Sequence, residues 1–244
     1  MAIQSQTLPE IAVLRGLSWE QYLAVVDVLA EHHTRHHYAH GELELNNPVY
    51  GVTWPQYLAF LEAIGDTYCR HNYANETLEI MSPRKDHDWV KRFIGRIIET
   101  IAYELDIEIQ CIGSTTITSG AVSRGFQPDE AYYVANERLV RGKDTFEPDI
   151  DPPPDLLLEV DVTSSSKGRL ESFAAMKVPE VWRYSNDEVQ FLRLNEEGIY
   201  VAVEKSPSLP MLTPSDIAEC FELLGTLSEN HVLKTLVAKL RERH

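Results

Sequence analysis

Cysteine is scarce in this chain. Cys69, Cys111 and Cys220 are odd in number and scattered, which excludes a disulfide framework and points to reduced thiols in a cytoplasmic setting. Long apolar runs are missing as well. None approaches the ~18 residues of a membrane span. The first residues, Met1 to Gln6, show neither the basic start nor the apolar core of a secretory signal. Positive charge is also short. There are 22 Lys and Arg against 38 Asp and Glu, a formal net charge of -16. Such a field opposes non-specific binding to DNA or RNA, although a local basic face or a metal-bridged phosphate stays open. Several catalytic signatures are absent too: no Gly-Xaa-Ser-Xaa-Gly elbow, glycine-rich phosphate loop, Cys-Xaa-Xaa-Cys pair or His-Glu-Xaa-Xaa-His helix. From 84 to 244 no Pro/Gly/Ser-rich linker interrupts the chain, so that stretch reads as one domain.

What is present suffices for a core. The apolar fraction is 43% over 244 residues, an ordinary value for a packed domain. Near the N-terminus the sequence repeats with an offset of 35 residues. Gly16, Trp19, Gln21, Tyr22, Leu23 and Ala24 recur as Gly51, Trp54, Gln56, Tyr57, Leu58 and Ala59. Arg35-His36, Tyr38-Ala39 and Leu43-Glu44 recur as Arg70-His71, Tyr73-Ala74 and Leu78-Glu79, and Pro48 and Pro83 close the copies. Each copy reads as a helix and then a hairpin. Ser18 and Thr53 are natural N-caps, and Pro55 suits a first helical turn. Helical spacing gathers Tyr22, Val25, Val26 and Leu29 on one face, and Tyr57, Phe60, Leu61 and Ile64 on its counterpart. Turns are expected near His40-Gly41 and Asn75-Glu76. A packed pair, or an edge used to form a homodimer, is the expected arrangement. The histidines His32, His33, His36, His37 and His40 invite a metal reading. The repeat, however, places them over a helix end and a strand, so a polar surface is expected.

A long amphipathic helix follows, from about Asp86 to Leu105, with Val90, Ile94, Ile97, Ile98 and Ile101 as its apolar stripe. Its start carries Arg84, Lys85, Lys91, Arg92 and Arg96, the densest basic patch of the chain. It reads as a phosphate-receiving helix start or as a solvated face. Three strands are expected next, at 107–112, 129–135 and 155–162. In the third, Leu156, Leu158, Val160 and Val162 face one way, and Asp155, Leu157, Glu159 and Asp161 the other. A short helix to Lys177, a strand at 181–185, a hairpin over 189–204 and two C-terminal helices complete the pattern.

A carboxylate on such an apolar strand is costly to bury without a partner, and a metal would be one. If the second and third strands pair antiparallel, Asp129 and Glu159 lie at the same end, close enough to share an ion. Asp155 stands roughly 13 Å from Glu159 at strand rise, nearer the turn, and is the weaker candidate. An Asp and a Glu so placed can hold Mg²⁺ or Mn²⁺ with several waters retained. Lys167 or Arg169 could then steady phosphorane charge, and His87 could orient water or assist proton transfer. The reaction class is metal-dependent phosphodiester hydrolysis.

The order helix, three-strand meander, helix, strand resembles the core of the PD-(D/E)XK nuclease superfamily. More closely, the chain resembles the Uma-type restriction-endonuclease family, a domain of unknown function. The matching pieces are Leu78 to Pro83, His87, Pro128-Asp129, Pro154 to Val160 and Val178 to Trp182, within about residues 52–215. The resemblance implies a mixed α/β, restriction-endonuclease-like fold over 51–244 with DNA as substrate. Residues 1–50, with the first repeat copy, would be an N-terminal extension. It makes Asp129 the motif aspartate, Glu159 the motif acid and the Val160 carbonyl a further metal ligand. Two positions depart from the pattern. Asp161 stands where the superfamily has lysine, and Arg169 aligns with the lysine that the family takes from the following helix. A degenerate, non-catalytic module that binds nucleic acid or protein is therefore the alternative.

Overall fold

A computed structural model describes residues 10–32, 34–81, 85–143, 145–147, 149–161 and 167–243. The chain divides into two compact units. One holds the N-terminal residues through the second repeat copy together with 123–127; the other holds the rest. The second copy thus groups with the first, across the residue 50/51 boundary drawn from the sequence.

The first unit runs β1 (Glu10–Arg15), α1 (Trp19–Val28), β2 (His36–Ala39), β3 (Glu42–Asn47), β4 (Val49–Tyr50), α2 (Trp54–Ile64), β5 (Arg70–Ala74) and β6 (Thr77–Met81). Each helix begins with a capping box. Ser18 Oγ accepts the Gln21 N–H at 3.1 Å while Gln21 Oε1 accepts the Ser18 N–H at 2.9 Å. Thr53 and Gln56 repeat the arrangement. The hairpins β2–β3 and β5–β6 turn through two residues in the left-handed region, His40 with Gly41 and Asn75 with Glu76. That is the turn whose twist suits a two-residue hairpin. The sheets are β1-β3-β2 and β4-β6-β5, the latter extended by the return of 123–127. Val25, Leu29, Leu43 and Leu45 from the first copy share one core with Tyr57, Phe60, Ile64, Leu78 and Ile80 from the second. At about 1.5–3 kcal/mol per fully buried apolar side chain, this core is the main stabilising term of the unit. His36, His37 and His40 are exposed, as a polar surface requires, and His33 lies outside the described residues.

The second unit begins with α3 (Lys85–Glu104), β7 (Gln110–Gly113) and β8 (Ile117–Ser119). After β9 (Arg124–Phe126), the segment that belongs to the first unit, come β10 (Glu130–Tyr133), α4 (Glu137–Val140) and β11 (Leu156–Asp161). Next are α5 (Lys167–Ala175), β12 (Glu180–Ser185), β13 (Glu188–Leu194), β14 (Tyr200–Val203), α6 (Pro214–Leu223) and α7 (Glu229–Glu242). The sheet order is β14-β13-β12-β11-β10-β7. Only β11 and β12 are parallel, because the crossover helix α5 joins them. Ile94, Ile97, Ile98 and Ile101 of α3 pack with Tyr132, Leu156, Leu158 and Val160. Gly95 permits the close approach: a Cβ there would stand 3.1 Å from Tyr132 Oη. The strand expected from 107 starts only at Gln110. Asp106 takes the left-handed conformation and Ile107 N–H reaches back to Ala102 O at 2.9 Å, so these residues close α3 instead. Trp182 is wholly buried and stacks on Phe191 at 4.0 Å. Among the described residues, no helix is long and apolar enough to cross a membrane.

Candidate active site

The antiparallel register of β10 and β11 pairs Glu130 with Leu158, Ala131 with Leu157 and Tyr132 with Leu156. The ladder ends at Glu130, and Asp129, the residue before it, reaches β11 through its side chain. Side chains alternate across a strand. Leu156, Leu158 and Val160 fill the α3 face, so Glu159 points to the opposite face.

Both carboxylates are buried, Asp129 at 0% and Glu159 at 1% exposure. Asp129 Oδ2 accepts the main-chain N–H of Val160 at 2.7 Å. This bond fixes the carboxylate beside β11. Glu159 is gripped by Arg169 of α5. Arg169 Nη2 donates to Oε1 at 2.8 Å, and Nη1 pairs with Oε2. Arg169 is itself 3% exposed, and its guanidinium lies 5.5 Å from the Phe173 ring centroid. Burying an unpaired carboxylate costs several kcal/mol, and a two-pronged guanidinium offsets much of that. The partner that Glu159 demands is thus present within the chain. Sequence reasoning placed Arg169 next to a substrate phosphate; the structure adds that it neutralises Glu159.

The other sequence candidates separate. Asp155 is a loop anchor: Oδ2 accepts Val134 N–H at 2.8 Å and Asn136 N–H at 2.9 Å, and Oδ1 accepts Asn136 Nδ2 at 2.7 Å. His87 lies in the first turn of α3 and Lys167 starts α5, but their side chains, like that of Asp161, fall outside the described residues. Two residues of the basic patch are spent on structure. Lys91 pairs with Glu130 at 3.3 Å, and Arg96 engages Glu229 and Asn230 of α7. Arg92 is exposed, while Arg84 and the Lys85 side chain lie outside the described residues.

Glu180 lies within the matching piece Val178 to Trp182, but the sequence assigns it no role. It is fully buried at the start of β12 and accepts Trp182 Nε1 at 2.7 Å and Ser208 N–H at 2.8 Å. Burial raises its pKa above the usual carboxylate range, against the pull of those hydrogen bonds. With Asp155 it lines a cavity of about 510 Å³ at the far end of β11 from Glu159. A Pro-Glu strand start between apolar residues was the available signal, and it reads equally well as a turn.

The family model described as "Uma2: Putative restriction endonuclease" matches residues 54–225. The chain belongs to this family. Asp129, Glu159, Val160 and Arg169 all fall inside the Uma2 match, and the first repeat copy falls outside it. Among solved structures the chain is similar to "a putative nuclease belonging to DUF820" from Anabaena variabilis ATCC 29413. The TM-score is 0.50 and the identity 14%, over 69% of this chain and 98% of that one. At that identity the likeness shows the fold, a mixed α/β nuclease-like architecture. No curated protein matches the chain.

The residues of this Uma2 chain that could hold a divalent cation are Asp129, Glu159 and the Val160 carbonyl. Their oxygens are the donors a hard cation takes, and Mg²⁺ commonly uses one or two carboxylates and keeps its waters. Among the described residues no set of three or more His, Cys, Asp or Glu side chains forms a closed cage. The donor chemistry fits Mg²⁺ or Mn²⁺. An ion at Glu159 would share a carboxylate that Arg169 already holds.

Proposed function

We propose that this Uma2 protein is a nuclease hydrolysing phosphodiester bonds in DNA, with Asp129 and Glu159 as its acidic pair and Mg²⁺ or Mn²⁺ as cofactor. The observation that supports the proposal is that Asp129, just before β10, takes the N–H of Val160, the residue after Glu159, with both acids buried and inside the Uma2 match. Bound there, the ion supplies Lewis acidity toward a phosphoryl oxygen and a more acidic water. Val160 N–H orients Asp129. Arg169 pairs with Glu159 and contributes positive charge for a phosphorane-like transition state. A guanidinium does not give up its proton at ordinary pH, so Lys167 or His87 is proposed for proton transfer.

The test compares cleavage of plasmid, linear and single-stranded DNA with Mg²⁺ or Mn²⁺ by the wild type, Asp129→Ala and Glu159→Ala. Each substitution is expected to lower the rate at least about a hundredfold. Activity that survives both would sink the assignment. One observation favours a second reading, a non-catalytic interaction module: Arg169 engages both oxygens of Glu159. Calorimetric titration with Mn²⁺ separates the two. Uptake abolished by Glu159→Ala supports the nuclease; no uptake and no cleavage by the wild type supports the module.

A further inference from the structure

The two repeat copies share an aromatic nest to within a few tenths of an ångström. Trp19, Tyr22, His36 and Tyr38 form it in the first copy, and Trp54, Tyr57, His71 and Tyr73 in the second. Tyr22 and Tyr38 stack at 4.4 Å, as do Tyr57 and Tyr73. Trp19 lies 5.7 Å from Tyr38, and Trp54 lies 5.7 Å from Tyr73. Tyr38 Oη donates to Leu17 O at 2.8 Å, and Tyr73 Oη donates to Val52 O at 2.8 Å.

What differs is the cover. In the second copy, β9 lies antiparallel along β5, with Phe126 beside Asn72 and Gly125 beside Tyr73. Gln127 N–H reaches His71 O at 3.0 Å. Gly125 is required, because a Cβ at that position would meet Tyr57 Oη at 2.1 Å and its ring carbons at 2.5 and 2.6 Å. Tyr57, His71, Asn72 and Tyr73 are buried beneath this strand. The first copy has the same nest and, among the described residues, no such strand. Its β2 is the edge of the sheet β1-β3-β2. His36 and His37 are exposed where His71 and Asn72 are buried, and Trp19 is 59% exposed.

We propose that the outer edge of β2 is a strand-docking site for a partner protein. Its ligand is an extended segment with glycine opposite Tyr38, flanked by a basic and an aromatic residue as Gly125 is flanked by Arg124 and Phe126. Docking adds a strand to an open edge, with main-chain hydrogen bonds giving affinity and the aromatic nest selecting the glycine. The basic residue follows from charge: this copy carries Glu20, Asp27, Glu31, Glu42 and Glu44 against the single Arg35. A second copy of β2 is not the ligand, since His36 to Ala39 holds no glycine. The inference is independent of the nuclease reading.

The probe is a synthetic peptide with the chain's own sequence from Val122 to Pro128, added to the intact protein. Trp19 fluorescence is the reporter, assigned through a Trp19→Phe control. Saturable change with the natural peptide is expected, at least tenfold weaker with a Gly125→Val peptide and with the protein variant Tyr38→Ala. The peptide variant leaves the protein untouched, so a folding defect cannot mimic it. Equal binding of the glycine and valine peptides, or no binding of either, overturns the proposal. So does a change in Trp19 fluorescence with single-stranded oligonucleotide alone, which would make the nest a base-stacking surface, or sedimentation as a dimer that Tyr38→Ala dissociates.

Discussion

Tyr22 and Tyr57 occupy the same place in two copies of one design. Both sit one turn into a capped helix and both stack at 4.4 Å on the tyrosine of the following hairpin. Yet Tyr57 is fully buried and Tyr22 only partly. The local geometry is set within each copy, by the capping box, the left-handed turn and the aromatic contacts. The environment is set by a strand that arrives from fifty residues further along the chain. Identical local structure therefore comes with unequal energetics. A ring closed off on all sides loses more when removed than one with a face in water.

Three comparisons would break or sharpen that contrast. The largest effect is expected from truncation of the rings. Tyr57→Ala should cost about 4 kcal/mol of unfolding free energy and Tyr22→Ala about 1–2 kcal/mol, read by denaturant titration. Equal costs would mean that the covering strand contributes nothing. Gly125→Val comes next, at about 3 kcal/mol, because the new side chain collides with Tyr57 and must push β9 away. In the Tyr57→Ala background the same change should cost much less, a coupling that a double-mutant cycle reads directly. The smallest effect is electrostatic. Burial, then Cys69 and Tyr73, raise the pKa of Tyr57 well above 10. A group raised in the folded state stabilises fully below its unfolded pKa, and that contribution is lost as pH climbs from about 10 toward the folded value. Tyr57→Phe should therefore flatten the decline in thermal midpoint above pH 10, and Tyr22→Phe should change it less.

The sequence made the repeat visible because its markers carry strong local chemistry: caps, a glycine before each helix, and tyrosines at an offset of 35. The antiparallel pairing of β10 with β11 was also legible, since hairpin pairing leaves few registers once an apolar face is fixed. Two features were not. Arg124-Gly125-Phe126 has no alternation and carries a glycine that weakens strands; its extension goes with its pairing along β5. The grip of Arg169 on Glu159 depends on how α5 returns over the sheet, and no residue near 169 signals that angle. A metal is one partner the sequence offers Glu159; the cation ten residues away is another. β1 is likewise absent from the elements expected from the sequence, although Glu10–Arg15 pairs with β3 along its whole length.

The insertion of 123–127 into the first unit has a consequence for synthesis. Residue 81 completes the second hairpin, and its covering strand lies about forty residues behind it. At about 5–20 residues per second, that separation is about 2–8 s of translation. During that interval the nascent chain presents two equivalent aromatic edges. Only the later arrival of Gly125 makes them different, so the asymmetry of the two copies is acquired in time as well as in space.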